Sequence, residues 1–119
     1  MPLDTIYLPQ RTKEHLTKLK RLTGLEHWNE ICRLGFCISL GEETPPRDIP
    51  GSDRAIEMTW DTFGGRFSHI YEALLRKEAE GNLDDRRMAK LAVRHICRGV
   101  SRLAARKSIS SIGDVYGEL

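Results

Sequence analysis

The chain has 119 residues, 39% of them hydrophobic and 30% charged, enough for one core and too few for two well-cored domains. Aromatic residues make up only 7%, so the core must rest on Leu, Ile, Val and Ala, a mixture that suits packed helices. No apolar run approaches the ~18–20 residues of a membrane span, no basic-then-apolar leader opens the chain, and Cys32, Cys37 and Cys97 are odd in number, so a cytoplasmic chain with free thiols is expected.

In chain order, residues 5–8 (Thr-Ile-Tyr-Leu) are a short extended segment stopped by Pro9, and this strand could pair with a copy of itself. A first helix is predicted over 12–22, with Leu16, Leu19 and Leu22 at helical spacing among Lys13, Lys18, Lys20 and Arg21, and Gly24 as its C-terminal cap. A second, over 27–40, places Trp28, Ile31, Cys32, Gly35 and Ile38 on one face and ends at Gly41.

Residues 42–65 have loop composition, with one short helical piece expected around 54–59. A third helix is predicted over 66–80, its face filled by Phe67, Ile70, Tyr71, Leu74 and Leu75. Gly81-Asn82 breaks it. Asp84 or Asp85 caps a fourth helix running to about 107, with Met88, Leu91, Ala92, Ile96, Val100 and Leu103 inward. The tail after 108 is expected to be loosely held. The whole reads as a mainly α, compact domain over 1–119, with about four helices, a ribbon-helix-helix-like start and an oligomeric habit.

The net charge of +2 hides a polar arrangement: residues 1–40 carry +2, 41–85 carry −6 and 86–119 carry +6. Either the basic ends face a polyanion or they pair with the acidic middle. Exposed ion pairs contribute only ~0–1 kcal/mol each, which gives stability little reason to gather charge into blocks and tilts the balance toward a partner.

Two basic sets stand out. Arg86, Lys90, Arg94, Arg98, Arg102 and Arg106 recur every four residues with no acidic residue among them, and each step drifts ~40° around a helix, so all six cannot meet one flat surface. Such a stripe either neutralises successive phosphates or pairs with carboxylates such as Glu72, Glu78 or Asp61. Arg11, Lys13, Lys18, Lys20 and Arg21 form the N-terminal set, opposed locally only by Glu14. Strand, basic helix and second helix follow one another as in ribbon-helix-helix DNA binders; an ordinary helical hairpin is the alternative.

Features that would carry catalysis are sparse. Cys32 and Cys37 are five apart with His27 and His95 elsewhere, unlike the short pairs that bind zinc, so neither a metal nor another cofactor is expected. Thr62-Phe63-Gly64-Gly65-Arg66 either offers free backbone N–H groups to an anion or makes a tight helix entry; it lacks the Gly-Lys-Ser/Thr ending of a P-loop.

Taken together, Leu-Lys-Arg-Leu-Thr-Gly at 19–24, Asn29-Glu30-Ile31-Cys32-Arg33 followed by Ser39-Leu40, Phe63-Gly64-Gly65 with Tyr71 and Leu74-Leu75, and His95-Ile96-Cys97-Arg98-Gly99 resemble the DNA sulfur modification protein DndE family. The resemblance implies a non-enzymatic helical subunit of bacterial DNA phosphorothioation systems. It also implies a homotetramer that prefers nicked duplex and works beside cysteine desulfurase, iron–sulfur and ATPase components. In that family DNA binding is associated with surface lysines and the Thr-Gly turn, which fall here on Lys13, Lys18, Lys20, Arg21 and Gly24. With Arg11 from the N-terminal set and Arg94 and Arg98 from the stripe, these are the candidate DNA-binding residues. A transcriptional regulator of ribbon-helix-helix type and a metal-dependent nicking enzyme are the rival readings.

Overall fold

Pro9 separates the first two elements. Before it, β1 (Thr5–Leu8) alternates, with Ile6 and Leu8 buried. After it, α1 (Gln10–Thr23) begins with a proline as N-cap, whose side chain accepts no hydrogen bond; the Asp53 carboxylate accepts from Gln10 N–H at 2.6 Å instead. Gly24 closes α1 in the left-handed region, φ 78°, its N–H donating to the Lys20 carbonyl. These elements belong to a computed structural model that describes residues 4–49, 53–79 and 84–105.

The helix α2 (Trp28–Leu40) buries Ile31, Cys32 and Gly35 as its spacing predicts, and Leu34, Phe36 and Ser39 with them. Gly35 is required by α5 (Asp85–Ala104), which crosses α2 so closely that a Cβ on Gly99 would sit 1.6 Å from the Gly35 carbonyl oxygen. This crossing is the largest interface between elements. Phe36 reaches beyond it to meet Trp60, Phe63, Tyr71 and His95 edge-on, with ring centroids 5.3–6.2 Å apart.

Residues 56–59 correct the expected helical piece at 54–59: they form a strand, β2 (Ile56–Thr59), antiparallel to β1 with Thr5 opposite Thr59 and Leu8 opposite Ile56. Ile56 and Met58 turn inward while Glu57 and Thr59 turn out, a two-residue period that a helix would not sustain. The ladder partner of β1 is therefore supplied by its own chain. Thr59 then caps a short α3 (Trp60–Gly64), accepting from Thr62 N–H, and Trp60 donates its ring N–H to the Ser68 carbonyl.

A 3-10 turn at Gly65–Phe67 leads into α4 (Ser68–Ala79). Its predicted apolar face is split. Leu75 is buried and Tyr71 half-buried against the aromatic group, but Phe67, Ile70 and Leu74 are 44–45% exposed. Asp84 caps α5 by accepting from Arg87 N–H. The expected extension of that helix to 107, the break at Gly81-Asn82 and the tail after 108 lie outside the described residues. Among the described residues no helix is long and apolar enough to cross a membrane.

Candidate nucleic-acid interface

The buried positions of α1 are Thr12, Leu16 and Leu19, so its cations fall on the remaining surface. Arg11, Lys18 and Arg21 recur at i, i+7 and i+10, and Lys13 and Lys20 at i and i+7 on the other flank. None of the five lies within ion-pair distance of a carboxylate among the described residues. Lys18 Nζ donates to the Ala104 carbonyl at 2.9 Å, a cation placed where the end of α5 exposes partial negative charge. Lys20 Nζ stands 5.9 Å from the centre of the Trp28 ring. Gly24 is exposed, and the space around it is open enough for a side chain, so its left-handed backbone rather than crowding calls for glycine.

The stripe on α5 drifts as its four-residue period dictates, and it does so onto the acidic segment after α2. Arg94 pairs with Asp48, Arg102 with Glu42 at 3.0 Å, and Arg98 approaches Glu42 at 3.6 Å. Within ion-pair distance the partners are thus Glu42 and Asp48, while the charge of Arg98 reaches Glu78 only at longer range. Glu72 pairs with Arg76, Glu78 faces His95, and Asp61 accepts from the Ser68 hydroxyl. Arg86, Arg87 and Lys90, one to two turns nearer the helix start, are exposed and reach no carboxylate among the described residues. Arg106 lies outside the described residues.

Arg98 has the most closely satisfied guanidinium. It donates to the Ser39 hydroxyl, the Ser39 carbonyl and the Thr44 carbonyl, each at 2.8 Å, and so holds the end of α2 and the turn beyond it against α5. Because Ser39 Oγ accepts from Arg98, its own hydrogen is left for His95 Nδ1, 2.7 Å away, and the imidazole proton is assigned to Nε2. Nε2 is 3.0 Å from Glu78 Oε1, outside hydrogen-bond geometry, so this contact is electrostatic. Burial and the nearby Arg98 charge push the His95 pKa down to about 4, and burial raises that of Glu78.

Ser39, His95 and Glu78 thus line up as a hydroxyl, an imidazole and a carboxylate. Ser39 and His95 have zero exposure, and only the Glu78 end of the line reaches solvent, so the hydroxyl is closed to a substrate. In the sequence Arg33 stands out only as the end of the 29–33 motif. Its side chain donates to the Phe63 and Thr62 carbonyls, and Asn29 also donates to Thr62. The Gly64-Gly65 turn is consequently the end of α3, with carbonyls taken by Arg33, and Gly65 adopts φ +59° beside that guanidinium. The available signal was a lone basic residue in α2, at its sixth position.

Cys32 is buried, with its thiol pushed up to about 12, while Cys37 and Cys97 are half-buried; burial raises all three. Cys97 Sγ accepts from the Thr12 hydroxyl, tying α5 to α1. Among the described residues no three His, Cys, Asp or Glu side chains converge as a metal set.

Comparison with known proteins gives a consistent result. The family model described as DNA sulphur modification protein DndE matches residues 5–111. The crystal structure of DndE from Escherichia coli B7A, described as involved in DNA phosphorothioation modification, superposes with a TM-score of 0.74 at 26% identity, covering 87% of this chain and 98% of that one. A DndE G21/24K mutant shares the fold with a TM-score of 0.70 at 22% identity, covering 89% of this chain and 100% of the other. No curated protein matches.

Proposed function

Because the chain belongs to the DndE family of the DNA phosphorothioation system, we propose that it is a non-catalytic subunit that holds DNA through its backbone so that the modifying components can act on it. The observation that carries this reading is the surface of α1, where Arg11, Lys13, Lys20 and Arg21 have no carboxylate partner among the described residues, Lys20 and Arg21 lying beside the Gly24 turn and Arg11 and Lys13 at the other end of the helix. Cations left unpaired by the fold are the groups that phosphates neutralise at least cost. Lys18 adds charge to the same surface while docking α1 on the end of α5. Arg94 belongs to a second, flanking contact, and Arg98 supports it by fixing the segment beside it.

A nick is preferred in this reading because it makes the duplex easier to bend against a symmetric basic surface. Symmetry comes from self-association as a homotetramer, and the exposed row Phe67, Ile70 and Leu74 on α4 offers copies of the chain an apolar face to bury. Contact with the other phosphorothioation components follows from membership of the system.

The rival regulator of ribbon-helix-helix type needs a strand that pairs with a second copy and reads bases. Here β1 pairs with β2 of the same chain. Affinity for intact, nicked and single-stranded DNA of unrelated sequence, measured at two salt concentrations, tests the proposal. Sequence-tolerant binding that weakens steeply with salt and is tightest on nicked duplex is expected. Tight binding to one operator alone contradicts it, and strand cleavage abolished by a chelator supports the nicking enzyme.

A further inference from the structure

The cations of α5 divide at Arg94. Toward the helix start, Arg86, Arg87 and Lys90 are exposed without acidic partners among the described residues; toward its end, Arg94 and Arg102 are covered by Asp48 and Glu42. Both carboxylates come from the stretch that follows α2, and Arg98 fixes only its first part, through Thr44. Asp48 lies four residues further on, is 82% exposed, and has Arg94 as its polar partner among the described residues. Asp48, Arg86, Lys90 and Arg94 also line one open cleft of about 640 Å³ beside Tyr7.

We propose that Asp48 and Glu42 stand in for DNA phosphates, occupying Arg94 and Arg102 until a nucleic-acid backbone displaces them. A carboxylate and a phosphate present the same paired oxygens to a guanidinium, so one replaces the other without rearranging the arginine. The Asp48–Arg94 pair, its carboxylate mostly in solvent, is weak and exchanges readily. Glu42 is held more firmly, with both oxygens on Arg102 and Arg98 close by, and the hydrogen bonds of Arg98 to Ser39 are shielded and stay in place. Once Asp48 swings away, Arg86, Lys90 and Arg94 form one continuous row at four-residue spacing. The acidic segment thus lets the α5 row engage a strong polyanion and keeps it from weaker anions. This rests on the DNA-holding role proposed above and adds a regulated second contact to it.

The test compares the full chain with Asp48→Asn, Asp48→Asn/Glu42→Gln and, as a charge control, Glu43→Gln, an exposed acid of the same segment with no arginine partner among the described residues. Duplex affinity is measured from 50 to 300 mM salt. The double variant is expected to bind roughly three- to tenfold tighter at low salt, the weight of one or two exposed ion pairs. Its salt slope should steepen by up to about 0.9 per arginine, since in the wild type each phosphate contact is offset by the ion pair it breaks, whereas Glu43→Gln leaves the slope unchanged. Adding Arg94→Ala and Arg102→Ala should erase the gain. Equal behaviour of Glu43→Gln and the double variant, or a gain that survives loss of both arginines, overturns the inference while leaving the α1 surface standing. Wild-type chain that shows no salt-dependent binding overturns both.

Discussion

On α1, the cations at 11, 13, 20 and 21 reach no carboxylate among the described residues, whereas on α5 Arg94, Arg98 and Arg102 all approach one. The two helices carry similar numbers of basic residues, so composition does not separate them. What separates them is the chain that passes alongside: α1 meets the Gly24 turn and Trp28, while α5 meets the acidic stretch after α2. A regular basic stripe therefore divides its charge between ion pairs within the fold and open surface according to its neighbours. The shorter, less regular set is the one left open.

The comparison breaks most completely where α5 crosses α2. Gly99→Ala puts a methyl group into the Gly35 carbonyl, and despite the better helix propensity of Ala the backbones must part. We expect a loss of about 3 kcal/mol or more, read by urea denaturation, with both basic surfaces lost together. Arg98→Ala comes next, at about 2–3 kcal/mol, because it removes the charged donor to the Ser39 hydroxyl and carbonyl, leaving the carbonyl to its backbone donor from Glu42. Arg98→Lys should not restore it, since one ammonium cannot reproduce the guanidinium's separate contacts. An Arg98→Ala variant with unchanged stability would mean that the stripe is free after all.

Acid should separate the two regions more gently. His95 titrates at about 4 in the fold against 6.5 ordinarily, so the unfolded chain takes up the proton first. Its contribution is complete above pH 6.5 and is lost as pH falls toward 4, by on the order of 1.4 kcal/mol for each unit crossed. Denaturation at a series of pH values should show this slope in the wild type and its absence in His95→Gln. Identical slopes in the two would place the imidazole in solvent.

Local signals made much of the fold legible. Pro9, Gly24 and Gly41 mark element ends, and apolar spacing marks α1, α2 and α5, because each depends on residues within a few positions. The strand β2 was missed for the opposite reason. Four residues carry too little periodicity to outweigh their surroundings, and their partner is about fifty positions away, although the alternation of Ile56 and Met58 was there to be read. On α4 the spacing identified an apolar face but not its cover, so Phe67, Ile70 and Leu74 were assigned inward and lie half in solvent. The α1 cations were visible as a set. That Arg94 and Arg102 would meet Asp48 and Glu42 was not, since an ion pair between residues lying 46 or 60 positions apart leaves no local trace.

The most direct test of an open α1 surface and an engaged α5 row is the salt dependence of duplex binding by Lys13→Ala/Lys20→Ala/Arg21→Ala beside Arg94→Ala/Arg102→Ala. Cations that meet phosphates each contribute about 0.9 to the slope of log affinity against log salt. The α1 triple variant should lose between two and three times that value with its unfolding midpoint unchanged. The α5 double variant should lose less, because each phosphate contact it removes costs the wild type an ion pair with Asp48 or Glu42. A larger loss of slope from the α5 variant than from the α1 variant would contradict the account.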